Sequence, residues 1–378
     1  MIIERKALNL LKNKVKPGKV IVILGARRVG KTFLIKQYLE GVNEPYILWN
    51  GEDFAVHELL QRRSIQNYKN ILGSNKLLVI DEAQKIPEIG LILKLIIDSF
   101  ENIKIIVTGS SAFDIANLTG EPLTGRKQEI IMYPVSENEF DQFQKPEERQ
   151  DNLMLRMVYG NMPELIHLAD LREKEEYLRD LINSYLLKDI LTFEKIKNSS
   201  KLFNLLKLIA FQVGSEVSVQ ELGRQLSMSK NTVERYLDIL SKVFVIYRLT
   251  GFSRNLRKEV VKSSKWYFFD NGIRNSIIVN FSGLGARNDV GILWENYMMS
   301  ERIKHHQYSG IISNRYFWRT YDQQEIDLVE EKNGKLFAYE FKWKDSKVNI
   351  SPAWEKAYPG SFYKVITRDN YSEWLKEH

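Results

Sequence analysis

Lys19-Val20-Ile21-Val22-Ile23-Leu24-Gly25-Ala26-Arg27-Arg28-Val29-Gly30-Lys31-Thr32 reads as a buried strand, a glycine loop and the first turn of a helix. Residues 19–24 are almost wholly aliphatic, the pattern of a strand covered on both faces. Residues 25–32 obey the pattern G-x-x-x-x-G-K-[ST] at every fixed position. Each fixed residue type answers a phosphate group. Glycines let successive backbone N–H groups close on anionic oxygens at a helix N-terminus. Lys31 supplies a mobile positive charge to the β- and γ-phosphates, and Thr32 offers a hydroxyl to Mg²⁺. Gly25, Ala26, Arg27, Arg28, Val29, Gly30, Lys31 and Thr32 are therefore the expected nucleotide-binding residues, with ATP and Mg²⁺ as ligands.

About fifty residues on, Leu77-Leu78-Val79-Ile80-Asp81-Glu82 is an apolar strand ending in two carboxylates. Asp81 is expected to hold the Mg²⁺ water shell, and Glu82 to polarise the attacking water. A third strand ends in Thr108-Gly109-Ser110-Ser111. There Thr108 or Ser110 either senses the γ-phosphate, or Ser110 or Ser111 caps a helix. Arg126, on a loop after the strands, is either an arginine finger reaching a neighbouring copy's nucleotide or an ordinary surface arginine.

Strand patterns at 19–24, 45–49, 77–80, 103–108 and 128–133 alternate with helical ones, which predicts a parallel α/β sheet. Gly25 to Thr32, Asp81-Glu82-Ala83-Gln84, Thr108-Gly109-Ser110-Ser111, Thr124-Gly125-Arg126 and Tyr133-Pro134 together resemble prokaryotic AAA-type ATPases with an appended C-terminal domain of unknown function. The resemblance covers nearly the whole chain. It implies an ATP-hydrolysing, oligomeric, nucleotide-driven switch or motor.

At 378 residues the chain is long enough for two or three cores. Its composition, 44% hydrophobic and 27% charged, is that of a globular protein. No apolar run nears the ~20 residues that span a bilayer, and the N-terminus has no signal-peptide pattern. Cysteine is absent, so disulfides and thiolate metal sites are excluded. A cytoplasmic protein without membrane attachment is expected.

Between residues 201 and 274 stand thirteen bases and six acids, an excess equal to the whole chain's +7. That concentration suits a polyanionic partner or, more simply, a solvated face. Within it, residues 218–226 read as a capped helix, 227–229 as a tight turn and 230–242 as a second helix. The spacing resembles a winged helix-turn-helix with wing strands at 243–249 and 265–269. Lys230, Asn231 and Arg235, with Arg254, Arg257, Lys258 and Lys262 of the wing, would meet nucleic acid. Such units also serve as lids or dock protein partners.

Glu295 on a helix, Asp327 on a strand and Glu340-Phe341-Lys342 on the next strand resemble a restriction-endonuclease-like core. There two or three acids hold a metal and a lysine assists attack on phosphate. Asn333-Gly334 predicts a two-residue type I′ hairpin turn. That register sets Asp327 opposite Glu340 and Glu325 opposite Lys342. Facing carboxylates repel, so either a metal lies between them or Lys342 neutralises both.

The expected architecture is α/β: an AAA-type P-loop sheet at 1–150, a helical linker or lid at 151–200, a winged helix-turn-helix at 201–280 and a nuclease-like α/β domain at 281–378. The expected activity is Mg²⁺-dependent ATP hydrolysis by a homo-oligomer acting on nucleic acid. The rivals are an ATP-gated metal-dependent nuclease and a protein-remodelling or signalling ATPase whose winged helix binds protein.

Overall fold

The computed structural model describes residues 3–110, 123–184, 199–253, 264–320, 322–344 and 350–377. The chain divides into two compact units, Met1–Tyr133 with Lys242–Phe244, and Pro134–Ser241 with Val245–His378.

The first unit is built on five strands, β1 (Val20–Leu24), β2 (Tyr46–Asn50), β3 (Leu77–Asp81), β4 (Lys104–Gly109) and β5 (Lys127–Ile131). All pairings are parallel, in the order β2-β3-β4-β1-β5. Every residue of β1 and the first four of β3 are buried. This is why those strands are unbroken Val/Ile/Leu runs. At the edge, β2 alternates, leaving Tyr46, Leu48 and Asn50 exposed. Expected strand limits hold to within two residues. The order also fixes the site, because the carboxyl ends of β1, β3 and β4 lie side by side along one rim of the sheet.

The second unit carries a mixed seven-stranded sheet. Its strands are β6 (Glu216–Val217), β7 (Ile246–Gly251), β8 (Ser264–Phe268), β9 (Asn314–Arg319), β10 (Glu325–Lys332), β11 (Lys335–Phe341) and β12 (Phe362–Ile366). The order is β12-β11-β10-β9-β7-β8-β6. The helices Val219–Leu226 and Lys230–Lys242 fall where the helix-turn-helix pattern set them. Ser218 caps the first by accepting from Glu221 N, and Ser227 turns left-handed at φ 50°. Strands β7 and β8 pair antiparallel as wing strands would.

The expected boundary at 280 runs through this sheet. One edge of β7 is taken by β8, and the other accepts β9 in parallel, with Thr250 beside Tyr316 and Gly251 beside Phe317. An open strand edge has unpaired N–H and C=O groups, and β9 satisfies them. The segment expected as a linker is likewise tied into the second unit. Arg156 Nε donates to Glu137 Oε1 at 2.6 Å, and Glu137 N donates to Glu301 Oε2 at 2.7 Å on the long helix Val290–Ser309. These charges are buried and so need each other.

The predicted hairpin is present: Lys332 pairs with Lys335, and Asn333 and Gly334 both have positive φ, 51° and 74°. The ladder runs to Leu328–Tyr339. There the Asp327 carboxylate accepts from Phe341 N at 2.8 Å.

Candidate functional site

The phosphate loop leaves β1 at Leu24 and re-enters regular structure at Lys31, the first residue of the helix Lys31–Glu40. Arg28 (φ 62°) and Gly30 (φ 96°) are left-handed, which turns consecutive backbone N–H groups toward one concavity. Gly25 is required for a second reason. A Cβ there would lie 2.1 Å from the Met132 carbonyl oxygen, and Met132 N donates to Leu24 O at 2.6 Å. The chain that follows β5 thus packs directly against the loop. Lys31 is buried, and its Nζ donates to the carbonyls of Gly25 and Ala26 at 3.0 Å each.

Arg5, only 2% exposed, ties this region together. Its guanidinium donates to Val29 O at 2.7 Å and to Tyr133 O at 2.6 Å. Sequence reading missed Arg5, which stands between Glu4 and Lys6 at the start of the helix Lys6–Lys14 and looks like one more surface charge.

The two motifs meet through hydroxyls. Thr32 Oγ1 donates to Asp81 Oδ2 at 2.6 Å, and Thr108 Oγ1 donates to Asp81 Oδ1. Thr108 Oγ1 also accepts from Glu82 N at 2.8 Å, so one buried threonine holds both acids in place. Glu82 is left-handed (φ 51°), a strained backbone for a residue with a side chain. Gly51, just after β2, makes room for it, since a Cβ there would meet Glu82 O at 2.3 Å. Gln84 Nε2 donates to Glu82 Oε2 at 2.6 Å and to Ser110 Oγ at 3.2 Å. The hydroxyl–carboxylate pair Thr32–Asp81 is the hard oxygen set that suits Mg²⁺, and the loop is shaped for phosphates. These residues fit ATP with Mg²⁺.

Arg126 stands elsewhere. Its carbonyl accepts from Val20 N at the amino end of β1, a strand's length (about 17 Å) from the loop. Its Nε donates to Asp98 Oδ1 at 2.5 Å with the side chain 39% exposed. It does not reach the phosphate loop of its own unit. Ser111 lies outside the described residues.

Lys230, Asn231 and Arg235 are exposed on the second helix of the helix-turn-helix. Glu234 and Asp238 are exposed on that helix as well, and Lys230 Nζ stands 3.6 Å from Glu234. Arg254, Arg257, Lys258 and Lys262 lie outside the described residues. Among the described bases of this stretch, two are internal. Lys265 is 1% exposed, and Arg274 is buried against Ala210 O and Asp289.

The C-terminal acids do gather, around lysines. Lys265 Nζ bonds Glu325 and lies 3.9 Å from Glu295, while Lys342 Nζ donates to Glu340 at 2.8 Å and lies 3.9 Å from Asp327. Glu325, expected opposite Lys342, turns instead to Lys265 and Arg319. Burial, then the Asp327 charge, push Glu295 up to about 8 and Glu340 up to about 7. Tyr267 OH donates to Glu295 at 2.7 Å. Among the described residues no three acidic or histidine side chains are arranged to hold a metal ion, so Glu295, Asp327 and Glu340 do not form a ready-made ligand set. The reason is the two ammonium groups, which take the place of a cation.

Three family models match the chain in turn: an AAA domain over residues 17–141, a domain of unknown function (DUF8612) over 150–286 and another (DUF4143) over 290–354. The chain is 24% identical to an uncharacterized protein of Mycobacterium tuberculosis, over 90% of this chain and 74% of that protein. It is 28% identical to an uncharacterized protein of Haemophilus influenzae, over 83% of this chain and 80% of the other. A third uncharacterized protein, from Methanocaldococcus jannaschii, is 25% identical over 91% and 80%. Among solved structures, a signal transduction ATPase with numerous domains from Pyrococcus horikoshii aligns at 15% identity and TM-score 0.29, over 81% of this chain and 47% of that chain. A Bacteroides Pif1 bound to single-stranded DNA aligns at 14% identity and TM-score 0.25, over 48% and 50%. The chain thus spans about half of these solved chains. Residues 17–141 thus match an AAA domain, and their parallel sheet and phosphate loop agree with that match. No helix among the described residues is long and apolar enough to cross a membrane.

Proposed function

We propose that this chain, whose residues 17–141 match an AAA domain, hydrolyses ATP in a Mg²⁺-dependent reaction and works as an oligomeric switch or motor on nucleic acid. The observation that carries the catalytic part is the hydrogen-bonded run Thr32–Asp81–Thr108–Glu82, which joins the loop to the acidic strand end. In the reaction, Glu82 takes a proton from water as the water oxygen bonds the terminal phosphorus. The bond from that phosphorus to the bridging oxygen breaks, giving ADP and inorganic phosphate. Lys31 and the loop N–H groups bind and orient the phosphates; Mg²⁺ held by Thr32 and Asp81 would supply charge neutralisation.

The nucleic-acid part is supported by the exposed Lys230, Asn231 and Arg235 on the helix-turn-helix. The acids Glu234 and Asp238 beside them favour, as a second reading, a winged helix that docks protein. For the C-terminal cluster, internal neutralisation by Lys265 and Lys342 favours a bracing role over metal-dependent cleavage. ATP turnover with and without single- and double-stranded DNA tests the assignment. Stimulation that fades with salt supports nucleic acid as the partner. Turnover indifferent to both DNAs, with no DNA bound, leaves the protein-partner reading; metal-dependent cutting of DNA would restore the nuclease reading.

A further inference from the structure

Gln84 lies two residues past Glu82, in the short turn Ala83–Lys85 that follows β3. Its amide nitrogen bridges two groups that the reaction needs: Glu82 Oε2 at 2.6 Å and Ser110 Oγ at 3.2 Å. Turned the other way, the amide would set its oxygen against a carboxylate, so charge fixes this orientation. The Gln84 amide oxygen is then shut off from solvent with no hydrogen-bond partner among the described residues. A buried acceptor without a donor is costly, so the two bonds from the amide nitrogen are what hold the side chain here.

We propose that Gln84 is a positioning residue for hydrolysis, holding the Glu82 carboxylate in register with Ser110. Glu82 alone is ill-placed to stay put. Its backbone is strained, and its carboxylate is anchored here by Gln84 rather than by a cation. Ser110, just past the carboxyl end of β4, links this pair to the rim of the sheet that carries the phosphate loop.

The proposal rests on Glu82 as general base, so the test separates the two. ATP turnover and nucleotide affinity are measured in the full chain for Gln84→Ala, Gln84→Glu, Glu82→Gln and the double variant Glu82→Gln/Gln84→Ala. Gln84→Ala lowers kcat by about tenfold to a hundredfold, less than the roughly 10²–10⁴-fold of losing the base, with affinity for ATP unchanged. Gln84→Glu, nearly the same shape but repelling Glu82, lowers kcat further. The double variant is no slower than Glu82→Gln alone, because both changes remove one function. Wild-type kcat in Gln84→Ala, beside an inactive Glu82→Gln, overturns the role of Gln84 and leaves the base standing. Losses that multiply in the double variant, or weakened ATP binding in both Gln84 variants, overturn it too. Wild-type kcat in Glu82→Gln overturns the base assignment itself.

Discussion

At the scale of single residues, the first unit depends on a few groups whose importance comes from what they touch. Arg5 bridges Val29 O, in the phosphate loop, and Tyr133 O, the last residue of its unit outside 242–244. Hydrogen bonds from a charged donor contribute roughly 1.5–3 kcal/mol each, and leaving the two carbonyls buried and unpaired adds to the loss. Arg5→Ala should therefore destabilise the unit by about 3 kcal/mol and weaken ATP binding. Arg5→Lys should recover only part, since one ammonium cannot present the guanidinium's spread of donors. A melting curve and an ATP titration of both variants check this; wild-type affinity in Arg5→Ala would mean the loop does not need the bridge. Why the roles of Arg5, Gly51 and Gln84 escaped the sequence, although Gln84 stands in the quoted run Asp81-Glu82-Ala83-Gln84, while those of Gly25, Lys31, Thr32, Asp81 and Glu82 did not has a physical answer. Phosphate and Mg²⁺ demand fixed residue types at fixed local spacing, so those five announce themselves. The other three act through contacts that only the folded chain creates.

At the scale of elements, the two ends of the second unit differ in how legible they were. Asn333-Gly334 announced its hairpin, because two adjacent residues at positive φ restrict the choice of residue. The joining of β7 to β9 was not readable, since it pairs residues more than sixty positions apart with no local signature. Lys265 was counted as a surface charge, yet it is buried with Glu325 and Glu295; counting charges cannot see burial. The acids around it make a pH prediction. In the folded chain Glu295 titrates near 8 and Glu340 near 7, both above the unfolded carboxylate value of about 4.3. Between roughly pH 4.3 and 8 the folded state holds more protons than the unfolded state, so these groups lower stability as pH rises. Glu295→Gln keeps an acceptor for Tyr267 OH and removes the titration. It should raise the melting temperature at pH 8 and leave it nearly unchanged at pH 4.5; an equal shift at both would refute the account. On the helix-turn-helix, Lys230→Glu with Arg235→Glu should flatten the log–log salt dependence of DNA binding by about two. An unchanged slope would remove that helix from the interface.

At the scale of the whole molecule, the proposed assembly of copies can be tested through Arg126. Arg126 lies at the end of its sheet away from its own phosphate loop, so any catalytic part must be played on a neighbour. Asp98 pairs with it in the single chain, and the proposed assembly would have to break that exposed pair, at little cost. Arg126→Ala should then keep ATP affinity and lose about 10³-fold in turnover. Mixed with Lys31→Ala protein, it should regain part, because one intact site forms where the two copies meet. No recovery at any ratio, with co-assembly demonstrated, would make Arg126 an ordinary surface residue.

The central claim is that the phosphate loop and the β3 acids form one hydrolytic site, and steady-state ATP turnover by the full chain with Mg²⁺ tests it most directly. Wild type, Lys31→Ala and Glu82→Gln are compared alongside nucleotide binding. The account predicts Mg²⁺-dependent turnover in wild type, neither binding nor turnover in Lys31→Ala, and binding without turnover in Glu82→Gln. Turnover that persists at the wild-type rate in Glu82→Gln, or ATP binding that survives Lys31→Ala undiminished, would contradict it.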